Sequence, residues 1–250
     1  MNREQIVVNT IVFLNELAGG KPQVELLEGI HLLGLTKVEI RREYLRVFPD
    51  DLLQIKSAAQ ARQLEVFYSV PDGLFKQGEL QDRELEQYLA EADRLGAKLV
   101  KFSVGEFNGF SVESLTKLKQ ILAEFAGIVT VENDQTKQSG TMKTNRKFLR
   151  VCQENDLRIY GTFDVGNWYW VGEDPLTNAL ELKSFTRYIH LKDAVCENSG
   201  VRAASLDQGS IAWRQVLQNL PSGLPVALEY PCGDRPLEAL QEELSKLLEL

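Results

Sequence analysis

Residues 159–164 read Ile-Tyr-Gly-Thr-Phe-Asp, a β-rich run that ends in an ionisable side chain. Three other runs have the same form: Ile-Val-Thr-Val-Glu at 128–132, Tyr-Ile-His at 188–190 and Val-Ala-Leu-Glu at 226–229. Short apolar runs rich in β-branched and aromatic residues are typical of buried strands. The pattern predicts four strands, each ending in a side chain that can bind a metal ion or a proton.

The same kind of run recurs along the whole chain of 250 residues. The predicted strands are Ile6 to Thr10, Lys37 to Arg41, Leu64 to Val70, Lys98 to Val104, Ile128 to Asn133, Arg158 to Val165, Arg187 to Lys192 and Pro225 to Tyr230. Their centres recur at roughly the length of one strand plus one crossover helix. Eight such units favour an α/β fold with one closed (β/α)₈ TIM barrel domain over residues 1–250, rather than an open doubly wound sheet.

The segments between the strands carry helix signals. Pro22 opens the first helix, Asp50 or Asp51 caps the second, and Gly96 ends the third. Ser111 begins the fourth, and a leucine-striped helix at 237–248 ends the chain.

The composition of the chain argues against some classes of binding partner. The 28 basic and 36 acidic residues give a net charge of −8, so no basic surface is expected to attract nucleic acid or anionic lipid. No apolar run is long enough to span a bilayer. The three cysteines show no C-x-x-C spacing, which argues against a disulfide framework or a thiolate zinc site. The cytoplasm is the expected location.

Parallel strands of a barrel end at one mouth, where barrel enzymes place their chemistry. The four strand-end side chains there are Glu132, Asp164, His190 and Glu229. Carboxylate oxygens and a neutral imidazole suit a divalent cation that keeps positions open for substrate oxygens. The alternatives are that the acidic residues only form hydrated loops and that the histidine is a satisfied core residue.

Cationic and aromatic side chains are expected near the same mouth. Arg41 shares a strand face with Glu39, Lys101 lies on the fourth strand, and Lys192 lies two residues after His190. These cations either bind an anionic or carbonyl group of the substrate or form structural ion pairs with the acidic residues. Trp168 either stacks on a sugar ring or covers the barrel rim.

Five segments together resemble the xylose isomerase-like barrel superfamily, in particular its sugar and sugar-phosphate isomerases and epimerases. They are Val129-Thr-Val-Glu-Asn-Asp, Gly161-Thr-Phe-Asp-Val-Gly-Asn-Trp, Tyr188-Ile-His-Leu-Lys-Asp, Leu206-Asp-Gln-Gly-Ser-Ile and Val226-Ala-Leu-Glu-Tyr-Pro, with weaker support from Val38-Glu-Ile-Arg-Arg-Glu. The resemblance implies a metal site made of Glu132, Asp164, His190 and Glu229. It also implies that Glu132 and Glu229 transfer protons.

The sequence departs from this family at one position: Asn167 stands where many relatives have a histidine. The endonucleases of the superfamily need several histidines, and this chain has only two. The expected substrate contacts are Glu39, Arg41, Lys101, Asn167, Trp168 and Lys192.

The sequence therefore predicts a metal-dependent isomerase or epimerase that acts on a sugar or sugar phosphate through an enediolate. Mn²⁺ is the favoured ion, with Mg²⁺, Co²⁺ and Zn²⁺ as alternatives. A dehydratase or lyase on the same barrel and a non-catalytic sugar-binding barrel are the competing hypotheses, and a homo-oligomer is left open.

Overall fold

A computed structural model describes residues 1–198 and 200–250. Its strands are β1 (Ile6–Asn9), β2 (Lys37–Arg41), β3 (Glu65–Lys76), β4 (Glu79–Leu80), β5 (Leu99–Gly105), β6 (Ile128–Glu132), β7 (Ile159–Asp164), β8 (Thr186–Leu191), β9 (Asp193–Glu197), β10 (Gly200–Ala204) and β11 (Val226–Leu228). Its helices are α1 (Leu14–Ala18), α2 (Leu27–Leu32), α3 (Asp50–Ala61), α4 (Asp82–Leu95), α5 (Val112–Glu124), α6 (Met142–Glu154), α7 (Trp168–Val171), α8 (Pro175–Leu182), α9 (Trp213–Asn219) and α10 (Pro236–Leu248).

Eight of these strands form a closed parallel barrel. From β1 the pairing runs through β2, β3, β5, β6, β7, β8 and β11, and β11 pairs with β1 again. Each of the eight predicted strands is present, with boundaries shifted by a few residues. The predicted (β/α)₈ barrel is confirmed.

The apolar core follows the two-residue period of the strands. Inside the barrel, Val7, Phe67, Leu99, Tyr188 and Ala227 form a small buried cluster. The residues between them face outward and join the larger core under the helices. Side chains two residues apart share a strand face, so polar residues at alternate positions of a strand end lie on the barrel interior.

Local signals set several helix ends as expected. Ser111 Oγ accepts the backbone N–H of Ser114 at the start of α5, and Gly96, with φ of 76°, ends α4 in the left-handed region. Pro22 leads into a 3₁₀ turn before α2. Asp50 and Asp51 do not cap α3: both lie inside it, and Asp51 accepts backbone N–H groups of the preceding loop.

Two hairpins were not expected from the sequence. The end of β3 pairs with β4, and β9 pairs with β10 directly after Lys192. Asp193 accepts the backbone N–H groups of Ala194, Gly209 and Ile211, which ties the second hairpin to the following loop. Across the described residues, we find no helix with the length and hydropathy needed to traverse a membrane.

Candidate active site

Four side chains converge at the carboxyl ends of neighbouring strands. Glu132 ends β6, Asp164 ends β7, His190 lies on β8 and Glu229 follows β11. One ligand atom from each lies within 4.8 Å of those of the other three. All four side chains are buried. The strand-end set that the sequence picks out is therefore one compact cluster, here called the quartet.

His190 lies between two carboxylates. Its Nδ1 is 2.8 Å from Glu132 Oε1, and its Nε2 is 3.0 Å from Glu39 Oε2. Burial disfavours the charged ring, but Glu39, Glu132 and Glu229 outweigh this effect and raise the pKa of His190 to about 10. In this arrangement both ring nitrogens have acidic partners.

Glu39 contacts three polar side chains inside the barrel. It is fully buried, and its Oε2 accepts hydrogen bonds from Asn9 Nδ2 at 2.6 Å and from the Tyr188 hydroxyl at 3.0 Å. His190 is the third side chain in contact with Glu39, so this carboxylate has three polar partners inside the barrel. Glu39 therefore contacts His190 within the barrel, and its contact with a substrate stays a prediction.

The three cations are all paired with acidic side chains of the site. Lys101 Nζ lies 2.8 Å from Glu132 Oε2, and Arg41 donates to Glu229 at 2.8 Å and to Glu43 at 2.6 Å. Lys192 Nζ lies 2.7 Å from Asp164 Oδ2 and 2.6 Å from Glu229 Oε2. The ion-pair alternative therefore describes the contacts of all three cations.

These contacts control the charge of the two glutamates. Burial opposes ionisation of Glu229, but Lys192 and His190 outweigh it and lower its pKa to about 2. Burial opposes ionisation of Glu132 in the same way, and Lys101 and His190 hold its pKa well below the usual range. Burial lowers the pKa of Lys192, but Asp164 and Glu229 reverse the effect and raise it. Both glutamates are thus carboxylates at neutral pH.

Asp164 is the member of the quartet with the least stabilised charge. Its Oδ1 accepts the backbone N–H groups of Gly166 and Asn167, each at 2.8 Å. Its Oδ2 receives no directed hydrogen bond from the described residues, although the Lys192 ammonium is near. Burial raises the pKa of Asp164 to about 8 against the opposing charge of Lys192. A buried carboxylate oxygen without a directed donor is suited to a cation.

Asn167 holds the loop rather than facing the mouth. Its Nδ2 donates to the backbone oxygen of Asn133 at 3.0 Å, and its Oδ1 accepts from Gln135 Nε2 at 3.1 Å. Asn133 in turn exchanges hydrogen bonds with the backbone of Asp164. The Asn167 amide thus holds Asn133, which in turn holds the backbone of Asp164, and the substrate contact of Asn167 stays a prediction.

Trp168 begins the short helix α7 directly after the β7 loop. Its side chain is fully buried in the apolar core, 5.4 Å from the ring of Phe163 between centroids. A ring enclosed in this way has no free face for a sugar. Stacking of Trp168 on a substrate sugar stays a prediction.

Three polar residues of the barrel interior were missed in the sequence. Asn9 and Tyr188 hold Glu39, and Ser69 lies in register with Arg41 on one side and Lys101 on the other. Ser69 Oγ is buried and has no hydrogen-bond partner within the described part of the chain. The strand period gives a usable signal for Tyr188, which lies two residues before His190 and shares its face.

The quartet fits a divalent cation by its donor chemistry. Three carboxylates supply hard oxygen ligands and one imidazole supplies nitrogen, a set that suits Mn²⁺, Mg²⁺, Co²⁺ or Zn²⁺. Histidines that ligate metals commonly donate their other N–H to a carboxylate, which is the position that Glu39 occupies.

The family model described as xylose isomerase-like TIM barrel matches residues 28–250. The chain therefore belongs to the xylose isomerase-like TIM barrel family. A comparison with curated proteins finds no significant match.

Solved structures share the fold over the whole chain. The IolI protein with a bound zinc atom is 14% identical, with a TM-score of 0.74 over 98% of this chain and 97% of its own. The 3-keto-D-glucoside 4-epimerase of E. coli is 15% identical, with a TM-score of 0.70 over 99% of this chain and 100% of its own. The probable 3-DHS dehydratase of Bacillus anthracis is 16% identical, with a TM-score of 0.69 over 98% of both chains. The TM-scores show a common fold, and at these identities the likeness shows the fold alone.

Proposed function

We propose that this protein is a divalent-metal-dependent sugar isomerase or epimerase that moves a proton beside a carbonyl through an enediolate. The observation that carries the proposal is the quartet: three carboxylates and an imidazole within 4.8 Å at the barrel mouth. The solved epimerases with this fold are in agreement with it.

Glu132, Asp164, His190 and Glu229 would hold the cation, with Mn²⁺ as the favoured ion. A divalent cation at this position supplies Lewis-acid chemistry, which acidifies the C–H bond beside a carbonyl. Glu39 fixes the ring of His190, and Asn133 with Asn167 fixes the loop that carries Asp164. These contacts hold the ligands in place before a substrate arrives, which lowers the cost of reaching the reactive geometry.

Glu132 and Glu229 are the proposed proton-transfer residues. Both are ionised, and they pair with different cations. Glu132 pairs with Lys101, and Glu229 pairs with Arg41 and Lys192. In epimerisation one carboxylate would take the proton from the carbon, and the other, once it has gained a proton from solvent, would return a proton to the opposite face of that carbon. Isomerisation would use the same groups, with the proton returned to the neighbouring carbon. Positive charge from Lys101 or Lys192 would stabilise the developing enediolate.

The lining of the neighbouring cleft favours an uncharged sugar over a sugar phosphate. A cleft of about 470 Å³ is lined by parts of β3, α4, the end of β5 and the loop after β6. It includes Ser103, which is in register with Glu132. Its charged lining consists of Asp72, Lys76, Glu84, Glu106 and Asp134. This excess of acidic side chains would repel a phosphate and can accept hydrogen bonds from sugar hydroxyls.

The decisive experiment is turnover in D₂O. The protein with Mn²⁺ would be incubated with a panel of ketoses, aldoses and keto-sugars, and products would be followed by NMR. We expect isomerised or epimerised product with deuterium on the carbon beside the carbonyl, because carboxylate bases exchange their protons with solvent. Product that keeps the substrate hydrogen, together with near-normal kcat in Glu132→Gln and Glu229→Gln, would exclude proton transfer. A dehydrated product would instead identify a lyase, and sugar binding without turnover would identify a non-catalytic barrel.

A further inference from the structure

Lys192 lies between two members of the quartet. Its ammonium is 2.7 Å from Asp164 Oδ2 and 2.6 Å from Glu229 Oε2, and its side chain is only 5% exposed. No other lysine or arginine of the described chain contacts two quartet carboxylates. A single cation thus joins the ends of β7 and β11.

The position of Lys192 is built into the neighbouring loop. A Cβ atom at Gly166 would lie 2.5 Å from Lys192 Cγ and 3.1 Å from its Cε, so only glycine leaves room for this aliphatic stem. The backbone N–H of Val165 donates to the oxygen of His190 at 2.9 Å, which fixes the Gly166 loop against the end of β8. Lys192 is therefore held in a packed groove and is not a mobile surface lysine.

We propose that Lys192 is a resident counter-ion of the quartet that competes with the divalent cation for Asp164 and Glu229. The inference rests on the proposed metal-dependent function and adds a control on metal affinity. An ammonium at hydrogen-bond distance and a metal ion need the same oxygen lone pairs, and their charges repel each other at short range. A bound cation must therefore move the ammonium away from at least one of the two carboxylates.

Lys101 provides a matched comparison. It is also buried and positively charged, but it contacts a single quartet carboxylate, Glu132. Removing either lysine makes the net charge of the site more negative by one. Only removal of Lys192 takes away a cation that bridges two ligands.

The test is calorimetric titration of chelator-treated protein with MnCl₂ for the wild type, Lys192→Met and Lys101→Met. We expect Lys192→Met to bind Mn²⁺ at least about ten-fold more tightly than the wild type, and Lys101→Met to change affinity by less than about three-fold. Circular dichroism checks that each variant is folded.

Gly166→Ala provides a second variant that keeps the charge of Lys192. Its methyl group displaces the lysine stem, so Mn²⁺ affinity should rise here as well. If Lys192→Met does not fold, Lys192→Gln, which also removes the ammonium, replaces it in the titration.

The outcomes separate the inference from the proposed function. The proposed competition between Lys192 and Mn²⁺ is overturned if all three proteins bind Mn²⁺ with equal affinity. It is also overturned if the Lys192 and Lys101 variants gain the same affinity. In both cases metal dependence still stands. Weaker binding by Lys192→Met would overturn the competition too, since the lysine would then support the metal. Failure of all proteins to bind Mn²⁺ would overturn both the competition and the metal-dependent function.

Discussion

Glu39 Oε2 lies 3.0 Å from His190 Nε2 inside the barrel, and neither side chain is exposed. Asn9 and Tyr188 donate to the same carboxylate oxygen, so Glu39 is anchored from three directions. With Nε2–H directed at Glu39, Nδ1 is the ring nitrogen that faces the quartet. This pair links the buried interior of the barrel to the chemistry at its mouth.

Glu39→Gln is expected to weaken Mn²⁺ binding by about 10–100-fold, because the carboxylate that orients His190 is replaced by an amide. Titration with MnCl₂ measures the change. Tyr188→Phe is the control, since it removes one donor to Glu39 and leaves the contact with His190. Wild-type affinity in Glu39→Gln would show that the pair has no role in metal binding.

Asp164→Ala and His190→Ala are expected to lose the divalent cation while they remain folded, because each removes one ligand of the quartet. Elemental analysis of protein purified without chelator checks the metal content, and circular dichroism checks the fold. Asp207→Asn, which breaks an exposed ion pair with Arg214, is the control. If wild-type protein neither contains metal nor gains thermal stability from Mn²⁺, the quartet is a polar rim and not a metal site.

Glu132→Gln and Glu229→Gln are each expected to lower kcat by on the order of 10² or more, because the amide keeps the shape but cannot accept the proton. Steady-state rates at saturating Mn²⁺ measure the effect, and metal content is determined on the same samples. Glu197→Gln on the exposed β9–β10 hairpin serves as control. Near-normal kcat in both variants would exclude the proposed proton transfer.

The Glu91 carboxylate is expected to stabilise the folded protein at neutral pH and to lose this effect in acid. Burial opposes ionisation, but hydrogen bonds from Arg42, Gln87 and Tyr68 outweigh it and lower the pKa of Glu91 from the ordinary value of 4.5. The folded state therefore favours the charged form, and this stabilisation is complete above the unfolded pKa and lost as the pH falls through the lowered folded pKa.

Urea unfolding of the wild type and of Glu91→Gln, at neutral pH and in steps below pH 4.5, measures this contribution. We expect the wild type to be more stable at neutral pH and the difference to narrow on acidification. Comparison of the two proteins cancels the titration of other carboxylates. A difference that does not depend on pH would contradict the assignment.

The barrel and the location of the quartet could be predicted from sequence because both depend on local signals. Strand runs of period two and helix signals such as Ser111 and Gly96 mark the elements, and parallel strands of a barrel end at one mouth. Glu132, Asp164 and His190 each end or nearly end such a run. The β9–β10 hairpin was missed because the segment around Cys196 lacks a strong apolar alternation.

Only the closed barrel decided what the side chains at the mouth contact. The strand period puts Glu39 on an inward face, but its contact with His190 requires β2 and β8 to lie near each other across the barrel interior. In the same way, the pairing of Lys192 with Asp164 and Glu229 depends on distances between three separate chain segments. Trp168 lies next to the mouth in sequence, yet packing against Phe163 turns it into the core. Sequence fixes the residue types and the face of each strand, whereas the partner of a charge is set by distances that exist only after the ring has closed.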